Sequence, residues 1–449
     1  MDSSPLLNDP SRAWSPFEPT DKDVWDLPRV AHLHRRAGFA APWAVLQRDM
    51  KDGPSASIDR LLQGEPMSGD GMPASEHTEL MDSMAARIGP SGNLVRLQGV
   101  WLYRMIFTPY PLRERMTLFW HNHFATSNVK VESTLLMQRQ NDFLRSHALG
   151  DFPTILSEMS RDPAMLKWLD CTANRKAHPN ENYAREVMEL FTLGRGKYTE
   201  KDVQEAARAF TGTFVQNDQY KAVPAQHDDG EKTVLGKTGR LRGDDVTKIL
   251  LEQPATAEFL IVKLFRQFVS EVDVPSPALI APLADAFRKA NYDIKVPVAI
   301  LLKSNLFHDP AIRRKRVKSP VEFAVGSVRA LEILSPTVSA DALADATSRM
   351  GQGLYTPPSV AGWDGGPAWI NTTSTLTRSN FVLGLIGKDG GLGGRFDPKA
   401  LAAKHKVRDA ARFYVDLLVQ DAFDAKVRGK IKGDEAVTLV MTAPEYQLS

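Results

Sequence analysis

The 449-residue chain exceeds what one small core can organise, so two or three domains or one large helical body are expected. Its 56 Lys and Arg stand against 54 Asp and Glu, and the formal charge of +2 excludes a global attraction to nucleic acid or anionic lipid. The single cysteine, Cys171, excludes an intrachain disulfide and a cysteine-rich metal site, and no run of about 20 apolar residues is present to span a membrane.

Residues 1–26 are rich in Ser, Pro and Asp and lack a basic start followed by an apolar run. They are expected to form a disordered leader and not a signal peptide, which predicts a cytoplasmic protein. Helical spacing then begins at Pro28–Phe39, with Gly38 as a stop, and returns over Pro42–Met50 and Ser57–Leu62. After a Gly, Pro and Ser loop, it covers Glu79–Ile88, Leu94–Phe107 and Leu112–Phe124. Further helices are predicted over Thr134–His147, Phe152–Arg161 and Ala164–Leu169.

The stretch from Asn180 to Gly194 predicts one helix with two contrasting faces. At about 100° per residue, Tyr183, Ala184, Val187, Met188, Leu190 and Phe191 fill a broad apolar sector, and Asn182, Arg185, Glu186 and Glu189 crowd the opposite one. Thr199 and Asp202 then have the spacing of a capping box, opening a helix over Thr199–Phe214. Val215–Gly243 is polar and glycine-rich, and is read as a long loop or small hairpin inserted in a helical body.

Helical periodicity resumes over Asp244–Leu251, Ala255–Val269, Ser276–Ala290, Val296–Ser304 and Pro320–Ile333. The basic run Arg313–Lys318 is read as a solvated connector. Gly351–Thr373 forms a second irregular loop, carrying Trp363 and Trp369, before helices over Thr375–Gly384, Ala400–Leu418 and Lys432–Leu448. The predicted fold is mainly α, a multi-helical body with two long irregular loops, with residues 27–449 as the folded region and a subdivision near 243.

Glu186 and Glu189, three apart, project from one face as carboxylate ligands do in helical metal sites. With Arg185 four residues from both Glu181 and Glu189, the same residues equally describe a surface ion-pair ladder. His121 and His123 cannot chelate one metal from a helix, where they sit roughly 200° apart. They are read as packed histidines, with His121 the better candidate for a polar pocket. In the inserted loop, His227 and Asp228 could fold over the Asn182 helix and complete such a pocket. Trp363 and Trp369 could form a stacking platform for a sugar or base, or could pin their loop to the body.

Taken together, these motifs resemble a bacterial family, the domain of unknown function 1800 (DUF1800). The resemblance is carried by His32–Phe39, Phe119–Phe124, Asn180–Gly194, Tyr198–Gly212, His227–Gly236, Ser319–Glu322 and Gly362–Thr373, in family order. It departs at Cys171, where relatives tend to have glycine after Leu-Asp. The resemblance implies a mainly helical protein encoded beside a sulfatase-like protein that tends to carry a twin-arginine export signal. A protein without a signal of its own could leave the cytoplasm together with that signal-bearing partner.

Two functions follow as expectations. The first is a hydrolase assisted by a divalent metal such as Zn²⁺, Mn²⁺ or iron. Glu186, Glu189 and His227 would be its ligands, and His121, Asn182, Arg185 and Asp228 would complete the catalytic pocket. The second is a non-catalytic accessory protein that binds the co-encoded sulfatase-like protein or a surface polysaccharide through Trp363 and Trp369. Convergence of unpaired carboxylates and imidazoles favours the first; carboxylates already held by arginines favour the second.

Overall fold

The helix Pro111–His123 runs between two hydrophobic clusters and is buried on all sides. Leu112, Met116, Phe119 and Trp120 face one cluster and Leu118 the other. Such a helix has no solvent face to give it amphipathic contrast, so its polar residues are buried and must be paired. Glu114 accepts from Trp101 Nε1 (2.9 Å) and Arg145 Nε (2.8 Å), and Arg115 pairs with Glu322.

The computed structural model describes residues 3–387, 391–423, 425–433 and 435–449. Twenty-five α-helices occur among them, with two antiparallel two-stranded sheets. The protein is mainly α, as the periodicity predicts. The first cluster draws on helices on both sides of residue 243, from Ala13 to Ile312. The second combines Val30, Trp101 and Leu118 with apolar residues from Val321 to Tyr446. No helix among the described residues is long and apolar enough to cross a membrane.

Several boundaries match the predicted ones closely, Leu94–Phe107 among them. Thr199 and Asp202 form the capping box of Glu200–Ala209. Others differ for identifiable reasons. Of the leader, residues 1 and 2 lie outside the described residues. The remainder is ordered: Ser4 and Asp9 cap short helices Pro5–Asn8 and Pro10–Trp14, Ala13 is fully buried, and Trp14 Nε1 donates to Leu279 O (2.7 Å). Its polar residues serve as caps, which composition cannot distinguish from disorder.

The polar insertion forms two hairpins, Thr213–Gln216 with Gln219–Ala222 and Lys232–Val234 with Lys237–Gly239. Asn217 and Asp218 both take positive φ (52° and 56°), as a two-residue hairpin turn requires. Asp170 takes φ 56° one residue before Cys171, where the chain departs from the family's glycine.

The basic run Arg313–Lys318 is not a solvated connector. Arg313 and Arg314 pair with Asp421, and Arg316 pairs with Glu271 and Glu322. Val317 bridges to Leu448 in backbone register. A run of cations looks solvent-exposed in sequence because two of its carboxylate partners, Glu271 and Asp421, lie 45 and 108 residues away from Arg316 and Arg313.

Candidate functional site

Asn182–Glu186 forms a short α turn that continues over Val187–Thr192 as a π-helix, not the single regular α-helix expected. Leu193 N donates to Met188 O (2.8 Å), and Thr192 Oγ1 donates to Val187 O (2.6 Å). The wide turn keeps Val187, Met188 and Phe191 buried. It leaves the carbonyls of Leu190 and Phe191 to external donors: Lys263 Nζ reaches Leu190 O at 3.0 Å, and His123 Nε2 donates to Phe191 O at 3.1 Å. Side chains from two other helices thus cap the π-helix.

On its polar face, the carboxylates are largely taken. Arg185 donates to Glu181 (2.9 Å) and Glu200 (2.9 Å). Glu189 accepts from Arg195 Nε (2.7 Å) and Tyr198 Oη (2.7 Å), and these bonds hold its carboxyl below the usual range. Glu186 has no such partner among the described residues. Partial burial, reinforced by neighbouring Glu189, raises its pKa. Asn182 is exposed, and its backbone N–H donates to Asn180 Oδ1.

The segment Trp120-His121-Asn122-His123 works as a joint, because consecutive helical residues point about 100° apart. Trp120 Nε1 donates to Ala148 O (3.0 Å). His121 Nε2 accepts from Tyr355 N (3.0 Å), and its ring lies 5.2 Å from Trp101 and 5.7 Å from Trp363, centre to centre. Asn122 Oδ1 accepts from Trp363 N (2.8 Å). His123, besides bonding Phe191 O, accepts at Nδ1 from Lys263 Nζ (3.0 Å). Burial lowers His121 to about 3 and pushes His123 well below the imidazole range, so both rings are neutral at pH 7. Burial, followed by the charge of Arg266, lowers Lys263 to about 7.

His227 and Asp228 lie in a different neighbourhood. His227 Nδ1 donates to Thr211 O (3.0 Å), leaving Nε2 3.9 Å from Asp229 Oδ1. It lines a cavity of about 230 Å³ with Thr211, Tyr220, Asp229, Arg161 and Arg242. Gly212 is required here: its φ is +81°, and a Cβ would lie 2.9 Å from Val223 O. Asp228 is turned to Arg208 Nε (2.7 Å), and that bond lowers its pKa to about 2.

The structure does not gather the predicted site residues. His121 belongs to an aromatic core, Glu186 and Glu189 to a half-buried helix face, and His227 to the hairpin cavity. No group of three His, Cys, Asp or Glu side chains among the described residues is placed to hold a metal. Trp363 and Trp369 are 6% and 8% exposed, which removes the stacking platform and assigns them to anchoring their loop. Sequence reasoning missed Asn122, although its position between two histidines is a signal. It also missed Lys263, which nothing local distinguishes from a solvated lysine.

Residues 32–448 match the family model described as protein of unknown function (DUF1800). The chain belongs to the DUF1800 family. No curated protein and no solved structure matches it. Within this DUF1800 chain, the Asn122–Trp363 and His121–Tyr355 bonds tie the Phe119–Phe124 motif to the loop bearing the Gly362–Thr373 motif. The His123–Phe191 bond ties it to the Asn180–Gly194 motif.

Proposed function

We propose that this DUF1800 protein is a non-catalytic accessory protein that binds its co-encoded sulfatase-like neighbour and leaves the cytoplasm with that signal-bearing partner. The observation that carries this reading is the pairing of Glu181, Glu189, Glu200 and Asp228 with Arg185, Arg195 and Arg208, which leaves Glu186 alone among the proposed carboxylate ligands and acids. A metal-assisted hydrolase needs ligands that are both convergent and unpaired. Burial of both loop tryptophans favours a protein partner over a polysaccharide, since neither tryptophan offers a face for sugar stacking.

The contact in this reading is the outer edge of that loop and the helix that follows, Thr372–Ile386. Ile370, Leu376 and Leu383 are 40%, 62% and 54% exposed. The two leucines, seven residues apart, share one face of the helix.

The test is reconstitution. The protein is co-expressed with its neighbour and run on size-exclusion chromatography, beside a Leu376→Glu/Leu383→Glu variant. A co-eluting complex that the variant loses supports the reading. Separate elution of the wild-type proteins overturns it, as does fractionation that finds this protein only in the cytoplasm while its neighbour is exported. Stoichiometric metal in the purified protein, lost in Glu186→Gln and His227→Ala, would instead establish a metal site and call for a screen of hydrolase substrates.

A second reading rests on the 230 Å³ cavity, where His227 Nε2 is free for proton transfer. It predicts hydrolysis that survives chelators and is lost in His227→Gln.

A further inference from the structure

The cavity of about 230 Å³ lies between the hairpin Thr213–Gln216 with Gln219–Ala222 and the start of the helix Gly243–Glu252. It has room for more than water, since a cavity of about 150 Å³ admits benzene. Two glycines let these elements close around it. Gly212 leaves no space for a Cβ, and a Cβ on Gly243 would lie 2.7 Å from the ring of Phe210. Phe210, Val223 and Pro224 supply apolar wall, and Tyr220, 39% exposed, adds an aromatic ring open to solvent.

Several polar groups lining the cavity are unspent. Asp229 makes no hydrogen bond among the described residues, yet its Oδ1 lies 3.8 Å from Arg242 Nη2 and 3.9 Å from His227 Nε2. Both gaps are too long for a direct hydrogen bond. An oxygen placed about 2.8 Å from both ends of either gap satisfies the two groups at once. Tyr220 Oη and Thr213 Oγ1, on the paired strands of the hairpin, are likewise without a partner among the described residues.

Charge selects the class of ligand. Two arginines, Arg161 and Arg242, are matched by two carboxylates, Asp244 and Asp229, with Arg161 held by Asp244 at 2.6 Å. An anion in the cavity meets the carboxylates and a cation meets the guanidiniums, so neither is favoured by the local field. An apolar ligand would bury Asp229 and Arg242 unpaired. A neutral molecule with several hydroxyls uses both signs, donating to Asp229 and accepting from Arg242.

We infer that this cavity binds a neutral pyranose sugar, with a hydroxyl edge between Asp229 and Arg242 and one face of the ring against Tyr220. A pyranose has about twice the heavy atoms of benzene, so one edge stays in solvent at the mouth, where Arg242 and Asp229 are 72% and 64% exposed. The inference takes its site from the second reading of the function and assigns a ligand to it, without requiring hydrolysis.

Saturation-transfer NMR and calorimetric titration of the whole chain with glucose, galactose, mannose and N-acetylglucosamine test it. At least one sugar should bind with one-to-one stoichiometry, and cyclohexanol and inorganic phosphate should bind at least about tenfold more weakly than that sugar. Asp229→Ala and Tyr220→Ala, both at exposed positions where folding is retained, should each weaken it about tenfold or more. Binding of a sugar whose methyl glycoside the protein leaves intact supports the inference and removes glycoside hydrolysis from the second reading. Binding of none of the four sugars, cyclohexanol or phosphate binding as tightly as the best of them, or undiminished binding by both folded variants would each overturn it, while His227-dependent hydrolysis of other substrates keeps its own test.

Discussion

Gly362→Ala examines whether the Trp120–His123 joint holds the Gly351–Thr373 loop as argued. Gly362 has φ +82°, and a Cβ there would sit 2.2 Å from Asn122 Oδ1 and 2.6 Å from Asn122 O. The left-handed backbone alone costs a non-glycine residue about 1 kcal/mol. Expelling Asn122 sacrifices its 2.8 Å bond from Trp363 N, about 1 kcal/mol more, and the clash with a backbone oxygen adds overpacking of about 1–3 kcal/mol. The sum is roughly 3–5 kcal/mol. Gly71→Ala is the control, because Gly71 has φ +84° but open space around it, and it should cost about 1 kcal/mol. Urea denaturation followed by tryptophan fluorescence measures both, read as a midpoint shift at constant slope. If Gly362→Ala costs no more than Gly71→Ala, the Asn122 contact does not fix this loop and the joint is wrongly assigned.

Other consequences can be measured on the same preparations. Glu322→Gln leaves Arg115 uncompensated in the interior and should cost about 3–5 kcal/mol in the same denaturation experiment, where a change below about 1 kcal/mol would contradict the buried ion-pair belt. His121 is lowered to about 3 in the folded state, so the native protein binds fewer protons than the unfolded chain and loses stability as pH falls below about 6.5. His121→Gln keeps an acceptor for Tyr355 N and lacks that loss. The wild-type advantage should therefore shrink by about 2 kcal/mol between pH 7 and pH 5, and a constant gap would show that His121 is not buried neutral. Glu186 is raised by burial and by Glu189, so Glu186→Gln should raise the melting temperature slightly and leave metal content unaltered. A lower melting temperature accompanied by lost metal would return Glu186 to a ligand role.

Much of the helical framework was legible because periodicity and caps are local. Leu94–Phe107 follows from its apolar period, and the start of Glu200–Ala209 from the Thr199 and Asp202 capping box, although the helix ends at Ala209 and Thr213–Phe214 of the predicted span joins a strand. The inserted loop was recognisable as a break, though its division into two hairpins depends on positive φ at Asn217, Asp218 and Leu235, residues that do not demand it. Leu235 accepts that conformation because its N–H donates to Asp202 Oδ1 (2.7 Å), a bond to a helix 33 residues away.

By itself, the sequence determined that the protein is mainly α, which face of Asn182–Thr192 is apolar, and that Cys171 makes no disulfide within the chain. Those properties depend on neighbours within a turn or two, or on counting. Only the tertiary structure decided which carboxylates are free, whether Trp363 and Trp369 face solvent, and where Arg313–Lys318 sends its charges. Each of those depends on a partner distant in sequence, such as Asn122 for the Trp363 loop, Asp421 for Arg313 and Glu322 for Arg115. A side chain's charge and hydrogen-bonding capacity are written in its residue type, whereas the group that satisfies them is fixed only when the two cores pack around Pro111–His123.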